Sequence, residues 1–171
     1  VRLGIKIALA LGCTVNPMSQ FSRKNYFYPD LPKGYQISQH DHPLGEHGAL
    51  EIRMKDGTGR TIRIRRVHLE EDTAKLVHLD GGDTLLDHNR AGLPLMKIVT
   101  EMDIHSAEEA EAYLRELQGL LRNLGASLAN MEEGQLRCEP NVSVYEADPQ
   151  GLSLRGLGKH QTLNKKREVK N

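Results

Sequence analysis

Residues 49–72 constrain this chain more than any other stretch. Two runs, ALEIRMK (49–55) and RTIRIRRVHLEED (60–72), flank Asp56-Gly57-Thr58-Gly59. An Asp-Gly between alternating segments is a hairpin signal, so the pair reads as two antiparallel strands. In the second run Ile62 and Ile64 occupy even positions, whereas Val67 and Leu69 occupy odd ones. Strand side chains alternate between faces, so a change of parity near Arg65-Arg66 calls for one extra residue, a bulge. Beyond it Arg66, His68, Glu70 and Asp72 share one face, and Glu71 continues the Val67–Leu69 face at its rim.

The rest of the chain reads around this hairpin. The opening VRLGIKIALALGC has Leu3, Ile7 and Leu11 at four-residue spacing and lacks a small-x-small cleavage site. It reads as an amphipathic helix that starts before the chain does, not as a signal peptide. Residues 14–47 are rich in Pro, Gly, Asn and Asp without a sustained period, and hold Tyr26, Phe27, Tyr28 and Tyr35. They read as an ordered irregular segment. Short extended pieces are expected at 74–80 and 84–88 around Gly81-Gly82, and a mostly apolar strand at AGLPLMKIVT (91–100). Ser106 with Glu109 three residues on forms a capping box for a helix. Its buried stripe is Tyr113, Leu114, Leu117, Leu120, Leu121 and Leu124, and Gly125 is placed to end it. GQLRCEPNVSVY (134–145) reads as a further strand, with Arg137, Glu139 and Asn141 on one face and Pro140 favouring an edge or a bulge. Residues 146–163 look loop-like. The fold class that follows is α+β, with a mainly antiparallel sheet and helices.

Composition narrows the function. Lys+Arg and Asp+Glu both number 23, so any contact with nucleic acid is local rather than a general electrostatic coat. No apolar run approaches the ~18 residues of a membrane span. Cys13 and Cys138 are far apart with no partner pattern, which excludes a zinc ribbon or redox pair, fits a reducing compartment and suggests small apolar core residues. His40, His42 and His47 match no zinc spacing.

The candidate chemistry is acidic. Glu70, Glu71 and Asp72 cluster at a strand end, Glu139 sits on a polar strand face, and Glu168 lies between Arg167 and Lys170. Carboxylates converging from several strands suit Mg²⁺, a hard cation that keeps waters for substrate phosphates, while nearby Lys and Arg hold phosphate oxygens. A solvated strand end is the competing reading of the first cluster. His68 shares that strand end, either as a site residue or as a hydrogen-bonded polar-face residue. No GxGxxG and no GxxxxGK[ST] occurs, so ATP use would run through carboxylates and a metal rather than a glycine-rich cradle.

Long ordered motifs add a resemblance. FSRKNYFYPDLPKGYQISQ (21–39), RRVHLEEDTAK (65–75), DHNRAGLPLMKIVTEMDI (87–104), NMEEGQLRCEPNVSV (130–144) and EVKN (168–171) closely resemble the B subunit family of tRNA-dependent aspartyl/glutamyl-tRNA amidotransferases. The resemblance implies an antiparallel sheet backed by helices, similar to the glutamine synthetase/guanidino kinase fold. It implies a single, truncated catalytic (cradle) domain over 1–171, without the family's N-terminal strand or its C-terminal helical and tail domains, and inactive alone. The implied activity is ATP-dependent phosphorylation of the side-chain carboxylate of Glu-tRNA(Gln) or Asp-tRNA(Asn), then amidation by ammonia. ATP and Mg²⁺ are the implied cofactors; an amidase (A-type) subunit, a small C-type subunit and misacylated tRNA are the implied partners, in the cytoplasm or an organelle.

Carried over by motif, Glu71, Glu139 and Glu168 are metal ligands and catalytic carboxylates, with Glu139 standing where many relatives have Asp. His68, Glu70 and Lys170 belong to the same pocket, and Arg23 and Lys24 shape the substrate site or hold the irregular segment in place. The sequence departs from the family at Thr73-Ala74, in the loop 148–162 and at Asn164. Two other readings remain: the related archaeal E-type subunit, which handles only Glu-tRNA(Gln), and a non-catalytic module that binds tRNA or the amidase.

Overall fold

The hairpin at the centre forms as its sequence requires. In the computed structural model, which describes residues 1–143 and the backbone of 167 and 168, β4 (Gly45–Arg53) and β5 (Gly59–Glu71) pair antiparallel. Leu50 lies opposite Ile62 and Gly48 opposite Ile64. Gly57 takes the turn with a φ of 86°, and Asp56 Oδ1 accepts from the amide and hydroxyl of Thr58, so the local side chain closes the turn. One further strand on each side completes a four-stranded sheet of order β1-β4-β5-β8, with β1 at Thr14–Val15 and β8 at Pro94–Thr100.

The expected bulge is present between Ile64 and Arg66, where the register against β8 shifts. Ile62 and Ile64 are buried before it and Val67 after it, so the extra residue keeps apolar side chains on the core through a change of parity. The register then runs cleanly to Glu71 opposite Pro94.

Two helices pack against this sheet. The first, α1 (Arg2–Ala10), buries Gly4, Ile7 and Ala8, followed by Leu11, while Leu3 is 53% exposed. The stripe therefore includes Gly4 in place of the expected Leu3. A Cβ at Gly4 would lie 2.7 Å from the tip of the Leu44 side chain, which would have to shift to admit it. The second, α2 (Ala107–Asn123), is capped by Ser106, whose hydroxyl accepts from the Glu109 amide at 3.1 Å. Glu109 reaches back to the His105 amide at 2.7 Å, one residue before the usual capping-box partner. Ala112, Tyr113, Leu117 and Leu121 are buried, Leu114 and Leu120 are half-buried, and Gly125 leaves the helix with a φ of 62°. Neither helix is long and apolar enough to cross a membrane, a statement that covers the described residues.

Two further hairpins belong to the same unit. Residues 14–47 are more regular than their composition suggests: β2 (Ser22–Asn25) pairs with β3 (Tyr35–Ser38). The first strand, SRKN, is polar and exposed throughout, and the second, YQIS, alternates over only four residues, so no sustained hydrophobic pattern marks the pair. The extended pieces expected around Gly81-Gly82 pair with each other as a hairpin of β6 (Lys75–His78) and β7 (Thr84–Asp87), with Gly82 at a φ of 87°.

The chain divides into two units, residues 1–129 and 130–171. In the second, the described part of the strand expected over 134–145 pairs only at β9 (Asn141–Val142), with β10 (Arg167–Glu168), and residues 144 and 145 lie outside the described residues. Gly134 has a φ of 67° and Pro140 lacks an amide proton, so the stretch before β9 makes no ladder. It keeps the sequence alternation in burial: Leu136 and Cys138 are half-buried, Arg137 and Glu139 exposed.

Candidate active site

The end of β5 carries the acidic row, and its surroundings follow from where the neighbouring strands stop. Pairing with β4 ends at Val67 opposite Gly45, whereas pairing with β8 continues to Glu71. Leu69, Glu70 and Glu71 therefore lack β4 on one edge, and β3 lies there instead. Gln36 Nε2 donates to the Glu71 carbonyl at 2.7 Å, and the Ile37 amide donates to Glu71 Oε1 at 2.7 Å. Ser38 Oγ donates to Glu70 Oε2 at 3.2 Å, and the Leu69 amide donates to Gln39 Oε1 at 3.0 Å.

Each acid has its own partners. Lys33, just before β3, makes an ion pair with Glu71 Oε1. Partial burial pushes the Glu71 carboxyl up, but Lys33 and the Ile37 amide outweigh it and hold the group below the usual carboxylate range. Both contacts fall on Oε1; no described residue bonds Oε2. For Glu70, burial again acts upward and is outweighed by His68, Lys97 and Ser38. His68 Nε2 stands 3.7 Å from Glu70 Oε2 and the imidazole is buried. Asp72 is buried, accepts from the Thr73 amide, and pairs with Arg90 at 3.2 Å.

Arg23 reaches this group through an aromatic ring. Its guanidinium and the Lys33 ammonium each lie 4.8 Å from the Tyr35 ring centre, so Tyr35 carries two cations, one of which pairs with Glu71. Lys24 is exposed on β2, in register with Gln36. Glu139 and Glu168 belong to the second unit, where Glu168 pairs with Asn141, two positions beyond Glu139. Glu139 is exposed. Lys170, the loop 148–162 and Asn164 lie outside the described residues, as does the side chain of Glu168.

Among the described residues no three His, Cys, Asp or Glu side chains converge as a ready cage for a cation. The carboxylates of the row are separately engaged instead. In that row Glu71 Oε2 is a carboxylate oxygen left available to a hard cation, whose usual ligands are oxygens.

The family model for the GatB/GatE catalytic domain matches residues 1–171. The chain belongs to this family. It is 56% identical over 153 residues to the B subunit of the aspartyl/glutamyl-tRNA(Asn/Gln) amidotransferase of Thermomicrobium roseum, covering 88% of this chain and 32% of the relative. It is 52% identical over 174 aligned positions to the protein of the same name from Moorella thermoacetica, covering 100% and 34%. The chain thus spans about a third of the length of these curated relatives.

For this GatB/GatE domain the structure brings Glu70, Glu71, His68 and Arg23 into one neighbourhood within the first unit. It adds four residues that reasoning from the sequence missed: Lys33, Gln36, Ser38 and Gln39. A turn signal, Pro32-Lys33-Gly34, marked the first, since it presents a cation just before a strand. No signal in the sequence marked the other three.

Proposed function

We propose that this chain is the catalytic part of a B-type amidotransferase subunit that activates the side-chain carboxylate of Glu-tRNA(Gln) or Asp-tRNA(Asn) for amidation. A carboxylate oxygen of the aminoacyl group attacks the γ-phosphorus of ATP, the bond to the ADP oxygen breaks, and ADP leaves. Ammonia then attacks the carbonyl carbon of the acyl phosphate, inorganic phosphate departs, and the nitrogen loses a proton. The chemistry needs this order because a free carboxylate has a poor leaving group. The observation that carries the reading is 52% identity over the whole chain to an amidotransferase B subunit.

In this reading Glu71 would hold Mg²⁺ through Oε2, and the ion would supply charge neutralisation for the transferring phosphoryl group. Glu139 and Glu168 would be further carboxylates of the reaction, as the family motifs imply, and His68 would act beside Glu70. Arg23, Lys24 and Lys170 bind phosphate or substrate oxygens. An amidase subunit supplies ammonia and a small C-type subunit completes the complex. Residues 1–171 belong to a cradle domain akin to the glutamine synthetase/guanidino kinase fold, in a cytoplasmic or organellar enzyme.

The test follows phosphate release from ATP by the full-length protein assembled with its amidase partner, with and without Glu-tRNA(Gln). Release is expected to require the charged tRNA and to fall at least ~100-fold in Glu71→Gln, as for loss of a charge-stabilising group. Intact tRNA binding without ATP turnover in the wild type would overturn the reading in favour of a binding module.

A further inference from the structure

The strand β3 makes an unusual junction with the acidic end of β5. Where two strands meet in a sheet, backbone amides and carbonyls form the ladder. Here three of the four bonds use side chains of β3 and the residue after it: Gln36 Nε2 to the Glu71 carbonyl, Ser38 Oγ to Glu70 Oε2, and Gln39 Oε1 from the Leu69 amide. The fourth is the Ile37 amide to Glu71 Oε1. Four consecutive residues thus address three consecutive residues of β5, and two of the four bonds end on the carboxylates themselves. Gln39 is 1% exposed, so the junction is buried at its inner end.

This arrangement has a consequence for side-chain order. A glutamate has three rotatable bonds and loses much rotamer freedom when held in one place. Main-chain pairing to β8 fixes where Glu70 and Glu71 leave the strand, but not where their carboxylates point. Ser38 and the Ile37 amide fix the oxygens, and Gln36 ties the Glu71 carbonyl so that the strand end cannot rotate away. Ser38 donates to one oxygen of Glu70, and the same oxygen faces His68. The groups around Glu70 are then Ser38 from β3, His68 on its own strand and Lys97 from β8.

We propose that Ser38 and Gln36 are positioning residues for the carboxylate row, holding Glu70 and Glu71 in the geometry that phosphoryl transfer uses. The inference rests on the carboxylate-activating function proposed above. Neither residue contacts substrate in this role; each acts through a glutamate. Loss of a positioning contact lowers turnover while ground-state binding of ATP is retained, because the interaction matters most when charge builds at the reacting centre.

The experiment uses the full-length protein assembled with its amidase partner and measures phosphate release with varied ATP at saturating Glu-tRNA(Gln). Ser38→Ala is expected to lower kcat ~10-fold, with KM for ATP within about twofold of wild type, the pattern of an interaction realised in the transition state. Ser38→Thr, which keeps the hydroxyl, should restore most of the turnover. Gln36→Met removes the amide donor at similar volume and should act in the same direction, which keeps the test decisive if Ser38→Ala fails to fold. Thermal unfolding of each variant separates lost activity from lost folded protein. A folded Ser38→Ala and a folded Gln36→Met that both turn over like wild type would overturn the inference, as would a folded Ser38→Thr no better than Ser38→Ala. A wild-type complex without tRNA-dependent phosphate release would instead strike the underlying function.

Discussion

Asp103 accepts from three donors of one residue: the Arg63 amide at 3.0 Å, Nε at 2.8 Å and Nη2 at 2.6 Å. The guanidinium holds this carboxyl below the usual carboxylate range, with partial burial acting the other way. A depressed folded value contributes stability that is present above the unfolded value, near ~3.9, and lost as pH falls through the folded value. Asp103→Asn should therefore lower the denaturant midpoint at neutral pH, and the gap from wild type should close as the medium is acidified below that range. A gap that stays constant with pH would assign the effect to shape or hydrogen bonding rather than to charge. At this scale the sequence was a partial guide. Glu71 and His68 were visible because they share a short motif on one strand, whereas Lys33 was not linked to Glu71 by any local pattern. Their pairing depends on how a hairpin of polar strands docks, and periodicity carries no signal for that.

Between elements, close approach of backbone does what side-chain pattern cannot announce. Gly48 on β4 lies against the end of α1, where an added Cβ would stand 2.5 Å from both the Leu11 carbonyl oxygen and Cys13 Sγ. That carbonyl also accepts from the Ala49 amide at 2.8 Å, so the chain after α1 is tied to β4 and has little room to retreat. Gly48→Ala should destabilise by ~1–3 kcal/mol, the range for overpacking, read as a lower denaturant midpoint with an unchanged slope. A neutral variant would mean that the helix end shifts freely. The elements with strong periods were legible: the central hairpin, its bulge and the capped helix α2 follow from residue order, as do the two extended pieces that pair as β6 and β7. The β2–β3 hairpin was hidden because β2 is polar and exposed and β3 alternates over only four residues, and residues 134–140 of the strand expected at 134–145 make no ladder because alternation alone does not make a strand.

Across the whole chain, the apolar core and the charged site are unequally shared between the two units. Every buried hydrophobic side chain among the described residues, from Ile7 to Ala129, falls in the first unit, together with the four-stranded sheet and both helices. The carboxylates proposed to act together are split: Glu70 and Glu71 in the first unit, Glu139 and Glu168 in the second. A sequence pattern reports burial, and so it identified the core; it does not report which distant carboxylates meet, and only the family resemblance joined them. The division has a measurable consequence. A domain folds on its own when its core lies within it, so a chain ending at Ala129 should unfold in a single cooperative thermal transition. Its amides in β4 and β5 should stay protected from hydrogen exchange, since those strands form the sheet's interior pair. A broad, non-cooperative melt with unprotected β4 and β5 amides would mean that residues after 129 are required for the core, and that the two units fold as one.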